Sequence, residues 1–133
     1  MREHSAQEAI DLFLSAFNAS SDTYVTELLS QALTSDVVFW GPFGRNQGIE
    51  TVERFVLEMR QHPSGPGIMS RCSEVDAPSE WARYQWALRT PEGGPQQLRG
   101  TDVVHLRAGR IDQMIVFAGD LEPSSPAVPG PGR

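Results

Sequence analysis

At Gly67 the apolar residues of this chain change period, and that switch limits the folds open to it. Before it, apolar positions recur at helical spacing; after it they alternate as strands do. Ala6, Ile10, Phe13 and Phe17, with Ala9 and Leu14 alongside, form one stripe over residues 6–17. "NASSD" interrupts it, and Asp22 is placed to cap a second helix with Val25, Leu28, Leu29 and Ala32 as its stripe. The β-rich run "DVVFW" (36–40) is followed by "GPFGRNQG", read as a Gly/Pro turn segment. A third helix is expected from about Gly48, with Ile49, Val52, Phe55, Val56 and Met59 on one side and "HPSGPG" as its stop. Four strands then follow, over 68–75, 81–89, 98–107 and 111–118, with "TPEGGPQ" a turn and "AGR" a tight connection. The last ones read as antiparallel neighbours in a meander. Runs of helices followed by runs of strands predict an α+β fold with helices on one face of a sheet.

At 133 residues the chain suits one domain, expected over residues 1–120. The Pro-, Gly- and Ser-rich end, 121–133, is expected to be a disordered tail. A formal charge of −6, with no Lys/Arg cluster interleaved with aromatics, argues against nucleic acid and anionic membranes as partners. No run approaches the ~20 apolar residues of a membrane span. The opening "MREHSAQEAIDLF" turns helical without the apolar core of a signal peptide, so a cytoplasmic location is expected. Cys72, alone in the chain, cannot form an intrachain disulfide and is expected as a buried or partly buried spectator. There is no HExxH or comparable constellation, so neither a metal nor a cofactor is expected. "GPFGRNQG" lacks the Lys and the spacing of a phosphate loop.

The stretch "LRGTDVVHLRAGRI" (98–111) places Asp102 inside a strand, a poor place for a carboxylate. By alternation Asp102 shares a face with Gly100, Val104 and Leu106, while Thr101, Val103 and His105 face the other way. On the preceding strand Ala82, Tyr84, Trp86 and Leu88 form the apolar set. If these sets face the helices, Asp102 lies on an apolar wall and burial raises its pKa, making it a general acid or an oxyanion partner. Otherwise it is exposed, or paired with Arg99 or Arg83. In the last strand, periodicity leaves open whether Met114 and Val116 or Ile115 and Phe117 point inward.

The element order, with "DVVFWGPFGRNQGIETVERF" and "LRGTDVVHLRAGRIDQMIVF", resembles the SnoaL-like and ketosteroid-isomerase-like branches of the nuclear transport factor 2-like (cystatin-like) superfamily. The resemblance spans roughly residues 6–119. It implies three helices packed on a curved, mainly antiparallel sheet around a conical apolar pocket. It also implies that Asp102 and, from the last strand, Met114 and Val116 face that pocket. In ketosteroid isomerases the matching acid hydrogen-bonds the reacting oxygen; in SnoaL-like cyclases it is the proposed acid/base. The sequence departs from these relatives at several positions. Gly41 stands where ketosteroid isomerases carry their basic Asp, Phe17 near their helix-one Tyr, and Leu88 near a His found in some cyclases. Arg99 and Asp102 are three apart, whereas the Arg–Asp pair of limonene-epoxide-hydrolase-like members is two apart.

These readings converge on a cofactor-free cyclase or isomerase acting on an apolar oxygenated small molecule, such as a polyketide-like secondary metabolite. Asp102 is the expected general acid/base. Phe17, Tyr24, Trp40, Val56, Tyr84, Trp86, Val104, Met114 and Val116 are the expected substrate-contacting residues. The alternatives are an epoxide-opening enzyme or dehydratase, with Glu74, Asp76 or Asp112 as the partner acid, and a non-catalytic binding or dimerisation module. The resemblance also implies a homodimer through the outer sheet face, covering Thr101, Val103, Ile115 and Phe117. His105 is expected on that face as a solvated or interface residue; His4 and His62 are expected to have no functional part.

Overall fold

Serine caps start the first two helices. Ser5 Oγ accepts from the Glu8 N–H at 3.1 Å and the Glu8 carboxylate accepts from the Ser5 N–H at 2.8 Å, a closed capping box at the head of α1 (Ala6–Ala16). Ser21, in extended conformation, caps α2 (Asp22–Ala32) by accepting from the Tyr24 N–H. The expected cap, Asp22, instead occupies the first turn, where its charge faces the positive end of the helix dipole. The computed structural model describes residues 3–41, 44–61, 67–89 and 97–124.

Helix α2 runs straight into β1 (Leu33–Gly41), which pairs antiparallel with β2 (Gly44–Gln47). The segment expected as a plain turn is therefore partly a strand. Gly44, Arg45, Asn46 and Gln47 offer no apolar alternation, and only backbone pairing with β1 makes them an edge strand. Gly48, at φ +108, turns the chain into α3 (Ile49–Arg60); a Cβ there would also strike the Glu50 carboxylate. The expected stop "HPSGPG" falls almost entirely outside the described residues, and the "TPEGGPQ" turn does so entirely. The meander follows: β3 (Ile68–Arg71), shorter than the expected 68–75, then β4 (Trp81–Arg89), β5 (Gln97–Arg107) and β6 (Arg110–Ala118). Ala108 and Gly109 are both left-handed, at φ 53 and 81, and close the β5–β6 hairpin in a two-residue turn.

The six strands lie in the order β2-β1-β6-β5-β4-β3, antiparallel throughout except where β1 runs parallel to β6. Register shifts fall in β1 between Leu33 and Val38, and in the β5–β6 ladder after His105, where Asp112 is the extra residue. Such irregularities bend a sheet, and here the helices lie in its concavity. The core between the layers includes Ile10, Phe13, Leu29, Val37, Val52, Val56, Val104, Ile111 and Met114. This is the three-helix, curved, unclosed sheet expected from the sequence.

Two polar ties fix α1 to the far edge of the sheet. Arg71 grips Asp11 with two nitrogens, at 2.8 and 3.2 Å. Asn18 donates to the Met69 carbonyl at 2.7 Å and accepts from the Met69 N–H at 2.8 Å, so one side-chain amide occupies the open edge of β3 as a further strand would. Residues 121–124 carry no regular secondary structure, and 125–133 lie outside the described residues. No helix among the described residues is long and apolar enough to cross a membrane.

Candidate active site

The register of β4 on β5 builds the site. Tyr84 pairs directly with Asp102, and Trp86 pairs with Gly100. All three side chains stand on the helix-facing side. Tyr84 Oη donates to Asp102 Oδ2 at 2.6 Å, and Trp86 Nε1 donates to Oδ1 at 2.8 Å. The carboxylate is 2 % exposed, the one buried charged residue described. Neither arginine weighed as its partner is near it: Arg83 pairs with Asp76 and Arg99 with Asp120, both in the solvent.

Burial pushes the Asp102 carboxyl up to about 6, although its bonds from Tyr84 and Trp86 pull the other way. Burial also drives the Tyr84 hydroxyl well above its ordinary value, helped by the Asp102 charge, so Tyr84 stays a donor at neutral pH. An indole N–H can only donate, which makes Oδ1 an acceptor in every protonation state.

Gly100 explains how the indole reaches Oδ1. A Cβ on Gly100 would collide with Trp86 Cζ2 and with the Phe117 carbonyl oxygen, and would lie 2.7 Å from Trp86 Cε2. The ring thus crosses β5 over the one residue without a side chain. Gly100→Ala is expected to displace the indole and remove its bond to Asp102. A hydrogen bond to a charged group is worth about 1.5 kcal/mol or more, so the carboxyl should titrate about one pH unit higher. Trp86→Phe, which spares the backbone, should produce the same rise; a carbon-13 titration of the Asp102 carboxyl reads both. An unmoved midpoint in Trp86→Phe would show that the indole does not hold the charge.

Asp102 forms part of the wall of a cavity of about 180 Å³. Helix α1 contributes Phe13, Leu14 and Phe17; α3 contributes Phe55 and Met59. From the sheet come Phe39, Met69, Trp86, Leu98, Val116 and Ala118. Phe13, Phe17, Phe55 and Phe39 meet in sequence, with centroids 5.5, 6.4 and 5.3 Å apart. Among the described lining residues Asp102 is the only titratable one.

Of the residues singled out from sequence, the structure brings Phe17, Trp86, Asp102 and Val116 together on this wall. Tyr84 is buried behind the carboxylate it bonds; Val56, Val104 and Met114 are core residues outside the lining. Tyr24 is 44 % exposed and Trp40 43 % exposed, Trp40 in a separate cleft with Arg45 and Arg107. The unforeseen wall residues had a signal: Phe13 with Phe17, and Phe55 with Met59, are one helical turn apart. Gly41, matched by the resemblance to the ketosteroid-isomerase base position, lies in a separate cleft with Phe39, Phe55, Arg54 and Glu58.

The acids weighed as partners of Asp102 lie elsewhere. Glu74 is exposed, Asp76 holds Arg83, and Asp112 meets His105 Nδ1 at 2.6 Å on the outer face. His105 also stacks edge-on against Trp81. Cys72 is exposed, not buried or partly buried as expected: its N–H still bonds the Gln85 carbonyl, and alternation turns its side chain away from the helix-facing side that Met69 and Arg71 share, toward Gln85 and Thr101 on the outer face. Among the described residues no three His, Cys, Asp or Glu side chains converge as a metal site.

A family model described as a SnoaL-like domain matches residues 10–114. A proposed isomerase of the SnoaL-like family from Agrobacterium tumefaciens superposes with a TM-score of 0.75 at 24% identity, covering 86% of this chain and 97% of that one. A nuclear transport factor 2-like protein of unknown function from Exiguobacterium sp. 255-15 gives 0.67 at 18% identity, over 85% and 99%. A proposed polyketide cyclase from Sinorhizobium meliloti gives 0.64 at 16% identity, over 84% and 98%. At these identities the likenesses establish the fold. The comparison with curated proteins returned no match.

Proposed function

The chain belongs to the SnoaL-like family, and from that premise we propose that it is a cofactor-free cyclase or isomerase of an apolar, oxygenated, polyketide-like small molecule. The observation that carries the reading is the Asp102 carboxylate, buried in the wall of an apolar cavity and held by two donors. A carboxyl that titrates near 6 is mostly ionised at neutral pH yet returns a proton readily. Asp102 acts first as base, taking a proton from the substrate, and then as acid, giving it back at another atom. Tyr84 and Trp86 hold the ionised carboxylate in place before the first step and after the second; between the two steps the carboxyl is neutral and the negative charge lies on the substrate. The aromatic walls fold the substrate against the carboxylate and contribute by proximity and orientation.

Solvent deuterium exchange tests this without a known substrate. One-ring ketones and 1,3-diketones in D2O should take up deuterium faster with the wild-type protein than with Asp102→Asn. Equal uptake with both would overturn the reading. Ligand binding with no exchange, unchanged by Asp102→Asn, would favour a non-catalytic binding module; the single titratable group on the described wall is the observation on its side.

We also place a homodimer contact on the outer sheet face. Thr101, Val103 and Ile115 are half-buried there, Phe117 is 53 % exposed, and Trp81 stands nearby. Sedimentation equilibrium should give twice the monomer mass, and Phe117→Asp should shift it toward the monomer.

A further inference from the structure

The cavity wall is one-sided in its hydrogen bonding. Its described side chains supply two polar groups, the Asp102 carboxylate and the Trp86 indole N–H, and the N–H is already donated to Asp102. The Tyr84 hydroxyl behind them is donated to the same carboxylate. Each carboxylate oxygen retains a free lone pair. Among the described residues the ionised site therefore offers an entering molecule an acceptor and no free side-chain donor. A carbonyl oxygen brought into it loses its water and gains nothing, at a cost of about 1–3 kcal/mol. A hydroxyl replaces its water with a charge-assisted bond.

Size narrows the class further. A dry apolar cavity of about 150 Å³ admits benzene, so about 180 Å³ holds one ring with a short substituent. The wall has no cationic side chain among its described residues, which leaves a ligand carboxylate or phosphate without a counter-charge beside Asp102.

We propose that the cavity selects an uncharged ligand of single-ring size that carries a hydroxyl, a phenol or an enol, and receives its O–H on Asp102. This rests on the functional reading above and sharpens it: the group presented to the base is an O–H, and the reacting substrate enters as its enol or hydroxy form.

The test compares 4-ethylphenol with acetophenone, which have the same number of heavy atoms, and adds the three-ring 2-anthrol. Binding is followed at pH 8 through the Trp86 indole N–H resonance. At that pH Asp102 is ionised; Tyr84, the other titratable group on it, keeps its proton. The helix residues and Val116 on the described wall do not titrate. 4-Ethylphenol should shift the Trp86 signal and bind at least tenfold more tightly than acetophenone. Asp102→Asn, whose amide can donate, should erase that preference. 2-Anthrol should leave the signal unmoved. Acetophenone binding as tightly as 4-ethylphenol, 2-anthrol entering the cavity, or no probe reaching Trp86 would each overturn the proposal. Deuterium uptake keeps the two readings apart: ketone exchange that depends on Asp102, together with equal affinities, would sink the hydroxyl preference and leave the acid/base function standing.

Discussion

Asp102→Asn should lower turnover of a processed substrate by about 10²–10⁴-fold, the usual share of a positioned acid/base, with the fold retained. The substitution is nearly isosteric. The Asn oxygen can still accept from Trp86 Nε1, and its amide can donate to Tyr84 Oη, so both present partners of Asp102 keep a bond. What is lost is the capacity to take and return a proton. The wild-type pH profile supplies a second reading. A base must be ionised, so kcat/KM should be flat above about pH 7 and fall tenfold per unit below the midpoint near 6. An acid in the first step would give the mirror image, with activity falling as pH rises through 6. The profile of Asp102→Asn should lose the inflection near 6. Full activity in Asp102→Asn, with the wild-type inflection intact, would remove this residue from the chemistry.

How far the sequence reached depended on where periodicity speaks. Strand β4 is found over residues 81–89 as expected, because Ala82, Tyr84 and Trp86 alternate with Trp81, Arg83 and Gln85 without a break. Gly48 opens α3 because only a glycine sits easily at φ +108. Strand β2 left no pattern, since four polar or small residues on an edge are held by backbone pairing alone. The site was half legible. Alternation puts Asp102, Tyr84 and Trp86 on one face of neighbouring strands, but register decides contact, and register comes from the whole sheet. Alternation also fails along β6, where Ile111 and Met114 both point inward although three apart; the extra residue at Asp112 makes this possible. The stripes on α1 and α3 identify Phe13, Phe17, Phe55 and Met59 as inward-facing. They cannot distinguish side chains that meet in a core from side chains that stop short and leave a cavity, because that depends on the curvature of the sheet opposite.

The same burial that tunes Asp102 should make the wild-type protein lose stability as the solution is taken from pH 4 to pH 7. The carboxyl titrates at about 6 when folded, against 3.8 as its unperturbed value. Its folded pKa is raised, so the folded state binds the proton more tightly than the unfolded chain. The stabilisation is therefore fully present below pH 4 and is lost as pH rises through 6. A difference of about two pH units corresponds to about 3 kcal/mol, or a Tm change on the order of 10 °C for a domain of this size. Other carboxyls blur this in the wild type alone. Asp36, held below its ordinary range by Thr34 and Arg107, acts in the opposite sense and loses its stabilising effect as pH falls through its folded pKa. The difference between wild type and Asp102→Asn cancels such contributions. Urea denaturation of both proteins across pH 4–8 should show Asp102→Asn gaining about 2 kcal/mol on the wild type between pH 4 and 6.5 and then holding that gain, the rest of the effect falling below pH 4. A difference that stays constant over the whole range would mean that the carboxylate is solvated in the folded state. It would then be no better placed for proton transfer than a surface aspartate. The predicted gain for Asp102→Asn is thus the counterpart of its predicted loss of turnover: the charge that the fold carries at a cost is the one the chemistry needs.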